Sequence, residues 1–327
     1  MTDPVRAQLL TPGLRQDLLG GLAVVGMLFA AVAFAQIAGT SYLTSLVGRI
    51  AITSIAALSL SFLIGQAGLV SFGHAAPIGI GAYTALILAE GGTTDLAIQL
   101  PLAFCVAGLV ALITGPIALK TRGVSFIMLT LAFAQMFFYI ASSLAAWGGD
   151  DGMPLAQRST LFGFRALQTD AMLAVFAISL LGIILLAKIW MTHTRFGLVL
   201  KALNENERRV AANGFEVNHF LLYAFVIAAG VAAVSGVLLA NQANYVSPSY
   251  LNWHRSGELI VIVVLGGSGR LSGAVLASAI LVLFEEFLGH YTEYWKLGLG
   301  LMIVAVVLLR GRDLGRFLIP GTQGGRA

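Results

Sequence analysis

The residues of this chain that could do chemistry are few, and their spacing argues against catalysis. His74, His193, His219, His254 and His290 are scattered, with no pair at helical ligand spacing, so no metal centre is expected. No Gly-x-Ser-x-Gly or His-Glu-x-x-His constellation occurs. None of the lysines (Lys120, Lys188, Lys201, Lys296) follows a glycine, so the usual phosphate-binding loop is missing and any ATP must be bound by another chain. Cys105 is the one cysteine; it lies in an apolar run and reads as a small buried hydrophobe. The expectation is a protein that is not an enzyme and carries no cofactor. Two other polar features remain, a charged segment and a pair of glycine-rich interruptions.

The charged segment, 188–219, reads KIWMTHTRFGLVLKALNENERRVAANGFEVNH. Asn204 is a good helix N-cap, Glu205 and Glu207 fall in the first turn where the helix dipole favours acids, Arg208 and Arg209 follow, and Gly214 after Ala211 and Ala212 suits a left-handed closing position. This pattern predicts a short capped helix presented for docking; the alternative is a solvated loop. The first glycine interruption contains Gly65, Gly68, Ser71, Gly73 and His74, and leads into a short apolar piece, 75–89, whose Pro77, Gly79 and Gly81 do not favour an uninterrupted helix. The second contains Gly266, Gly269 and Ser272, after an apolar piece at 258–265 too short to span alone. A shift of 201 positions lays Gly65 on Gly266, Gly68 on Gly269 and Ser71 on Ser272. Paired broken segments in two halves point to a transport pathway. Small residues that only permit close helix packing are the other reading.

The elements that must position these residues are membrane spans. Apolar residues make up 58% of the 327 and charged residues 10%, against roughly 25% charged in soluble domains. Stretches 18–48, 50–89 and 217–254 contain no Asp, Glu, Lys or Arg, and each exceeds the ~20 residues needed to cross a bilayer. The expectation is an all-α, polytopic integral membrane helix bundle of about 8–10 transmembrane helices, forming one domain over 1–327. Residues 1–17 are read as a cytoplasmic N-terminus, 148–170 as an external loop, 191–219 as a cytoplasmic loop and 310–327 as a cytoplasmic tail. In that topology Lys and Arg concentrate on the cytoplasmic side, and Trp147, Trp190, Trp253 and Trp295 fall at span ends. The net charge of +4 therefore reflects the positive-inside bias, with the bilayer and not a nucleic acid as partner. Ala33-Phe34-Ala35 has the form of a signal-peptidase site, but the run around it is of full spanning length. Glu285 and Glu286, near a predicted outer end, read as interfacial.

The residues form an ordered set: Gly65-Gln-Ala-Gly-Leu-Val-Ser-Phe-Gly-His-Ala75, Gly79-Ile-Gly-Ala-Tyr-Thr84, Arg122-Gly-Val124, Thr130-Leu-Ala-Phe133, the loop of Glu207, Ala211, Ala212 and Gly214, and Val264-Leu-Gly-Gly-Ser-Gly269. This set resembles the permease subunits of branched-chain amino acid ABC importers, specifically the longer of the two permeases. The resemblance implies a multi-pass protein of the bacterial inner membrane, with a homologous second permease, two cytoplasmic ATP-binding subunits and a periplasmic binding protein that delivers leucine, isoleucine or valine. It also implies that the 204–214 loop couples to the ATPase. The sequence departs from the family at Pro77, where an aromatic or other apolar residue is usual. Importers of urea and short amides share the family. A secondary transporter is the competing class, disfavoured by the scarcity of mid-span charge.

The charge asymmetry makes the topology testable. A reporter active only outside the cytoplasm should be active when fused near Asp151 and silent when fused near Asn206; the reverse pattern would overturn the orientation.

Overall fold

A computed structural model describes residues 12–155, 157–267, 272–291, 297, 298, 300, 301 and 304. Among these, ten α-helices account for most of the chain: α1 (Pro12–Ile37), α2 (Ser41–Ala67), α3 (Ala75–Glu90), α4 (Leu96–Ala118), α5 (Val124–Ser143), α6 (Asp170–Thr192), α7 (Arg195–Ala212), α8 (Val217–Ala243), α9 (Trp253–Gly266) and α10 (Gly273–Tyr291). Seven of them, all except α3, α7 and α9, are long and apolar enough to cross a membrane. The protein is a multi-pass membrane protein. Two compact units divide at Ala279 and Ile280, and the features below belong to the first.

α2 is the central element, buried along almost its whole length and packed against α1, α6, α8 and α9. The second buried helix is α8, against which α3 and α4 lie. Lipid tails give no hydrophobic drive for helix association, so close backbone approach through small residues must supply the packing. The α4 face that meets α8 is built that way, from Ala103, Ala107, Gly108, Ala111, Gly115 and Ala118. Phe104 of α4 lies against Gly230 of α8, and Leu222 of α8 lies against Gly115 of α4.

The expectation that Pro77, Gly79 and Gly81 interrupt the apolar piece is overturned: α3 is continuous over its 16 residues. Pro77 is the third helical residue, where no intrahelical partner exists for its missing N–H. The glycines serve packing instead. A Cβ at Gly81 would fall on the Ala233 carbonyl, and one at Gly236 on the Ile78 carbonyl, so α3 and α8 touch backbone to backbone. The short piece at 258–265 is likewise a helix, lengthened toward Trp253 and capped by Asn252, whose Oδ1 accepts from His254 N at 3.1 Å.

The segment expected outside the membrane carries a small ribbon. β1 (Met153–Pro154) pairs antiparallel with β2 (Tyr245–Val246), joining the 148–170 loop to the end of α8. Asp95 caps α4 by accepting from Ala97 N and also from Phe162 N, each at 3.0 Å.

The packing predicts a contrast between glycines. Gly236→Val should cost at least the ~1–3 kcal/mol of an overpacked core. Gly108→Ala should be nearly neutral, because its new Cβ would meet only Val226, at 3.5 Å. Thermal unfolding in detergent would show the difference, and equal stabilities would refute the backbone contact.

Candidate functional site

The charged segment folds as α7, and the structure brings it onto the first glycine interruption. Thr194 caps its start, accepting from Gly197 N at 3.5 Å. Leu200, Leu203 and Val210 turn inward against Phe62, Ala67, Leu119, Phe126 and Leu221. Within the helix Asn206 adopts extended backbone, φ −160° and ψ 95°, and its Oδ1 accepts from Arg209 N at 3.0 Å. Asn206, not Asn204, therefore caps the turn that follows. A capping residue must itself leave the helical region, and Asn204 stays helical. Glu205, Arg208, Arg209, Ala211 and Ala212 are exposed on the outer face, and Gly214 closes the element with φ +84°.

Released from capping, Asn204 reaches across to α2. Its Nδ2 donates to the Gly65 carbonyl at 3.2 Å, and its Oδ1 lies over Gly68. Gly68 is glycine for two reasons. Its φ of +68° belongs to the left-handed closing position of α2, where Leu69 N donates to Leu63 O at 3.3 Å. A Cβ there would also stand 2.5 Å from Asn204 Oδ1. Gly65 was expected inside the interruption; it lies in the last turns of α2, and the non-helical backbone is 68–74.

Arg122, between α4 and α5, locks the arrangement. Its Nε and one terminal nitrogen grip Glu207 as a fork, at 3.0 Å to Oε2 and 2.9 Å to Oε1. The same terminal nitrogen donates to Asn218 Oδ1 at 3.0 Å, and the other donates to the carbonyls of Leu119 and Thr121. The guanidinium hydrogen bonds hold the Glu207 carboxyl below the usual carboxylate range, against a smaller opposing effect of partial burial. Ala67, Gly68, Asn204, Glu207 and Arg122 enclose a polar cavity of about 240 Å³.

Inside the interruption every backbone donor that helix geometry leaves open needs a partner. Phe72 N donates to Thr130 Oγ1 of α5 at 3.2 Å, Gly73 N to Ser71 Oγ at 3.2 Å and Ala75 N to Ser256 Oγ of α9 at 2.8 Å. His74 is buried, with Nε2 2.7 Å from Ser59 Oγ of α2. That hydroxyl donates to Ala56 O at 2.7 Å, so the imidazole supplies the proton of the contact between them.

The second interruption is described in part. Gly266 ends α9 and packs against Gly273, Gly267 has φ +80°, and Ser272 precedes α10. Gly269 lies outside the described residues. Among the described residues of the two interruptions, those with positive φ are Gly68 and Gly267, the closing positions of α2 and α9, which do not coincide in the 201 register. That register therefore does not match the two caps.

Several partners were not singled out from the sequence. Arg122 was legible only as a topology marker and part of a motif. Ser59 and Ser61 sit among apolar neighbours where nothing marks them, and Ser256 sits unmarked between Arg255 and Gly257. Lys188, read as the opening of the polar segment, lies inside α6, buried on the face of Leu181 and Leu185. Its i−3 and i−7 spacing to those leucines was the signal available.

Seven helices long and apolar enough to span a bilayer, with an amphipathic helix joined to a non-helical segment, define a polytopic membrane protein. The family described as branched-chain amino acid transport system, permease component, matches residues 42–307, and the chain belongs to it. It is 27% identical over 283 residues to the high-affinity branched-chain amino acid transport system permease protein LivM of Escherichia coli K12, covering 80% of this chain and 67% of that protein. It is 28% identical over 156 residues to LivH of the same organism, covering 47% and 50%. It is 24% identical over 250 residues to a probable branched-chain amino acid transport permease protein LivH of Methanocaldococcus jannaschii, covering 70% and 74%. No solved structure matches the chain.

Because the Arg122 fork stabilises the Glu207 carboxylate, the folded pKa lies below the unfolded one. The contribution of the pair is thus complete above the ordinary carboxylate pKa of about 4.3 and is lost as pH falls through the lower folded value. A ¹³C titration of Glu207 should give a midpoint below about 4.3 that moves back toward it in Arg122→Gln; an unshifted midpoint in the wild type would contradict the fork.

Proposed function

We propose that the chain is the transmembrane permease subunit of an ATP-driven importer of branched-chain amino acids in the bacterial inner membrane. A periplasmic binding protein delivers leucine, isoleucine or valine, and a homologous second permease completes the pathway. Two cytoplasmic subunits bind and hydrolyse ATP, and they dock on the outer face of α7 formed by Glu205, Arg208, Arg209, Ala211 and Ala212. Relatives named for branched-chain amino acid transport support the substrate.

The observation that carries the coupling role is the joint between α7 and α2, the Asn204 amide on the Gly65 carbonyl beside the Glu207–Arg122 fork. A push on α7 reaches the end of α2 and the residue 68–74 backbone through groups already in contact. An exposed ion pair is worth only about 0–1 kcal/mol. The fork therefore matters for direction more than for stability.

The test is the assembled complex in lipid vesicles. Asn204→Ala should leave assembly and binding-protein docking intact while uptake falls severalfold and ATP hydrolysis becomes insensitive to loaded binding protein. Asn206→Ala should weaken the outer turn of α7 by about 0.5–2 kcal/mol through loss of its cap, reducing association with the ATPase subunits. Wild-type uptake in vesicles without any ATPase would sink the proposal.

A further inference from the structure

Among the described residues, Lys188 is the one Asp, Glu, Lys or Arg side chain that is buried, at 7% exposure, and it lies in a membrane-spanning helix. A lysine one turn from a helix end ordinarily extends its amine to the interface. Lys188 instead turns inward, and Nζ donates to Ser61 Oγ of α2 at 2.8 Å. Ser61 is six residues from the end of α2, so the amine is held about 9 Å inside it at 1.5 Å per residue. Among the described residues Ser61 is its one hydrogen-bond partner, and no carboxylate is in ion-pair contact. The remaining donor positions of the amine are unmatched.

Lys188 lines a cavity of about 90 Å³ between α2, α6 and α8. Its floor is Leu58, Ser59 and Phe62, and Ala187, Ile227 and Val231 stand at its more exposed rim. Ser59 is the residue bonded to His74, so the cavity adjoins the first interruption. The chemistry on offer is one buried amine at depth beside the Ser59 hydroxyl, with otherwise aliphatic and aromatic walls. We propose that this cavity is a subsite for the carboxylate of the transported aliphatic amino acid, with Lys188 as counter-ion and the apolar walls receiving the branched side chain. The proposal rests on the transport reading above. Room for about six waters, each needing ~10–15 Å³ of such space, suits a carboxylate with a short alkyl group. The depth of the amine also separates it from lipid phosphates at the interface.

The experiment uses the complete importer in vesicles, with loaded binding protein saturating so that delivery is constant. Lys188→Met conserves volume and removes a buried amine, so assembly and stimulated ATP hydrolysis should persist. Leucine uptake should fall about tenfold or more, the equivalent of one charge-assisted hydrogen bond, and Lys188→Arg should restore much of it. Unchanged uptake by Lys188→Met would overturn the site. Ile227→Trp fills the cavity while keeping the lysine, and normal uptake by that variant would overturn it equally. If uptake requires phosphatidylglycerol, and native mass spectrometry shows an adduct of that lipid lost in Lys188→Met, the site belongs to a lipid and the solute assignment is wrong. A wild-type complex that takes up no branched-chain amino acid would overturn the transport reading and this site together, a result distinct from uptake that survives Lys188→Met.

Discussion

The structure depends on one constraint: a peptide group deep in a helix bundle cannot borrow a hydrogen bond from lipid. Residues 68–74 leave the helical path, so donors there must find partners within the protein, in backbone carbonyls or side-chain hydroxyls. Thr130 of α5 meets one of them and Ser71 another from within the segment, while Ser256 of α9 meets that of Ala75, where α3 begins. Each of these hydroxyls works only if its helix arrives at the right depth and rotation. The small-residue seams that bring α3 and α4 against α8 are what allow α3, at the far side of the segment, to be fixed as well. Packing and polar satisfaction are thus one requirement here.

Arg122 plays the corresponding part outside the bundle. Its guanidinium donates to Glu207 and Asn218 and to the carbonyls that end α4, so one planar group fixes the relative positions of three elements. Lysine, with a compact charge and no planar fork, could not grip the Glu207 carboxylate in two parallel bonds while reaching Asn218 and the carbonyls at the end of α4. The arrangement gives α7 a defined attachment although much of its surface is exposed.

The spans and the amphipathic segment were legible because they rest on properties that sequence carries locally, unbroken apolar runs and clustered charge. The cap was misplaced by two residues because Asn204 and Asn206 are equally good acceptors. The choice between them is made by where Leu203 and Val210 meet their cluster, a tertiary fact. The same holds for α3: Pro77 and the glycines argue against a helix in isolation, and only the Ala233 and Ile78 carbonyls show why they are there. Lys188 was hidden differently. Segmenting by charge assigns any lysine at a boundary to the polar side, whereas its spacing to Leu181 and Leu185 assigns it to the buried face. The joining of α7 to the first interruption, 139 positions apart at Asn204 and Gly65, lay beyond any local pattern.

The burial of α2 has a consequence for the order in which the chain is made. Of its neighbours only α1 precedes it; its two main ones, α6 and α8, are synthesised after it, and α9 follows nearly two hundred residues later. While the chain is still emerging, Ser59 has no His74 until α3 is in place, Ser61 has no Lys188 until α6 is in place, and Ala75 waits for Ser256. The helix that ends up innermost therefore completes its contacts only when the C-terminal half of the chain has been made.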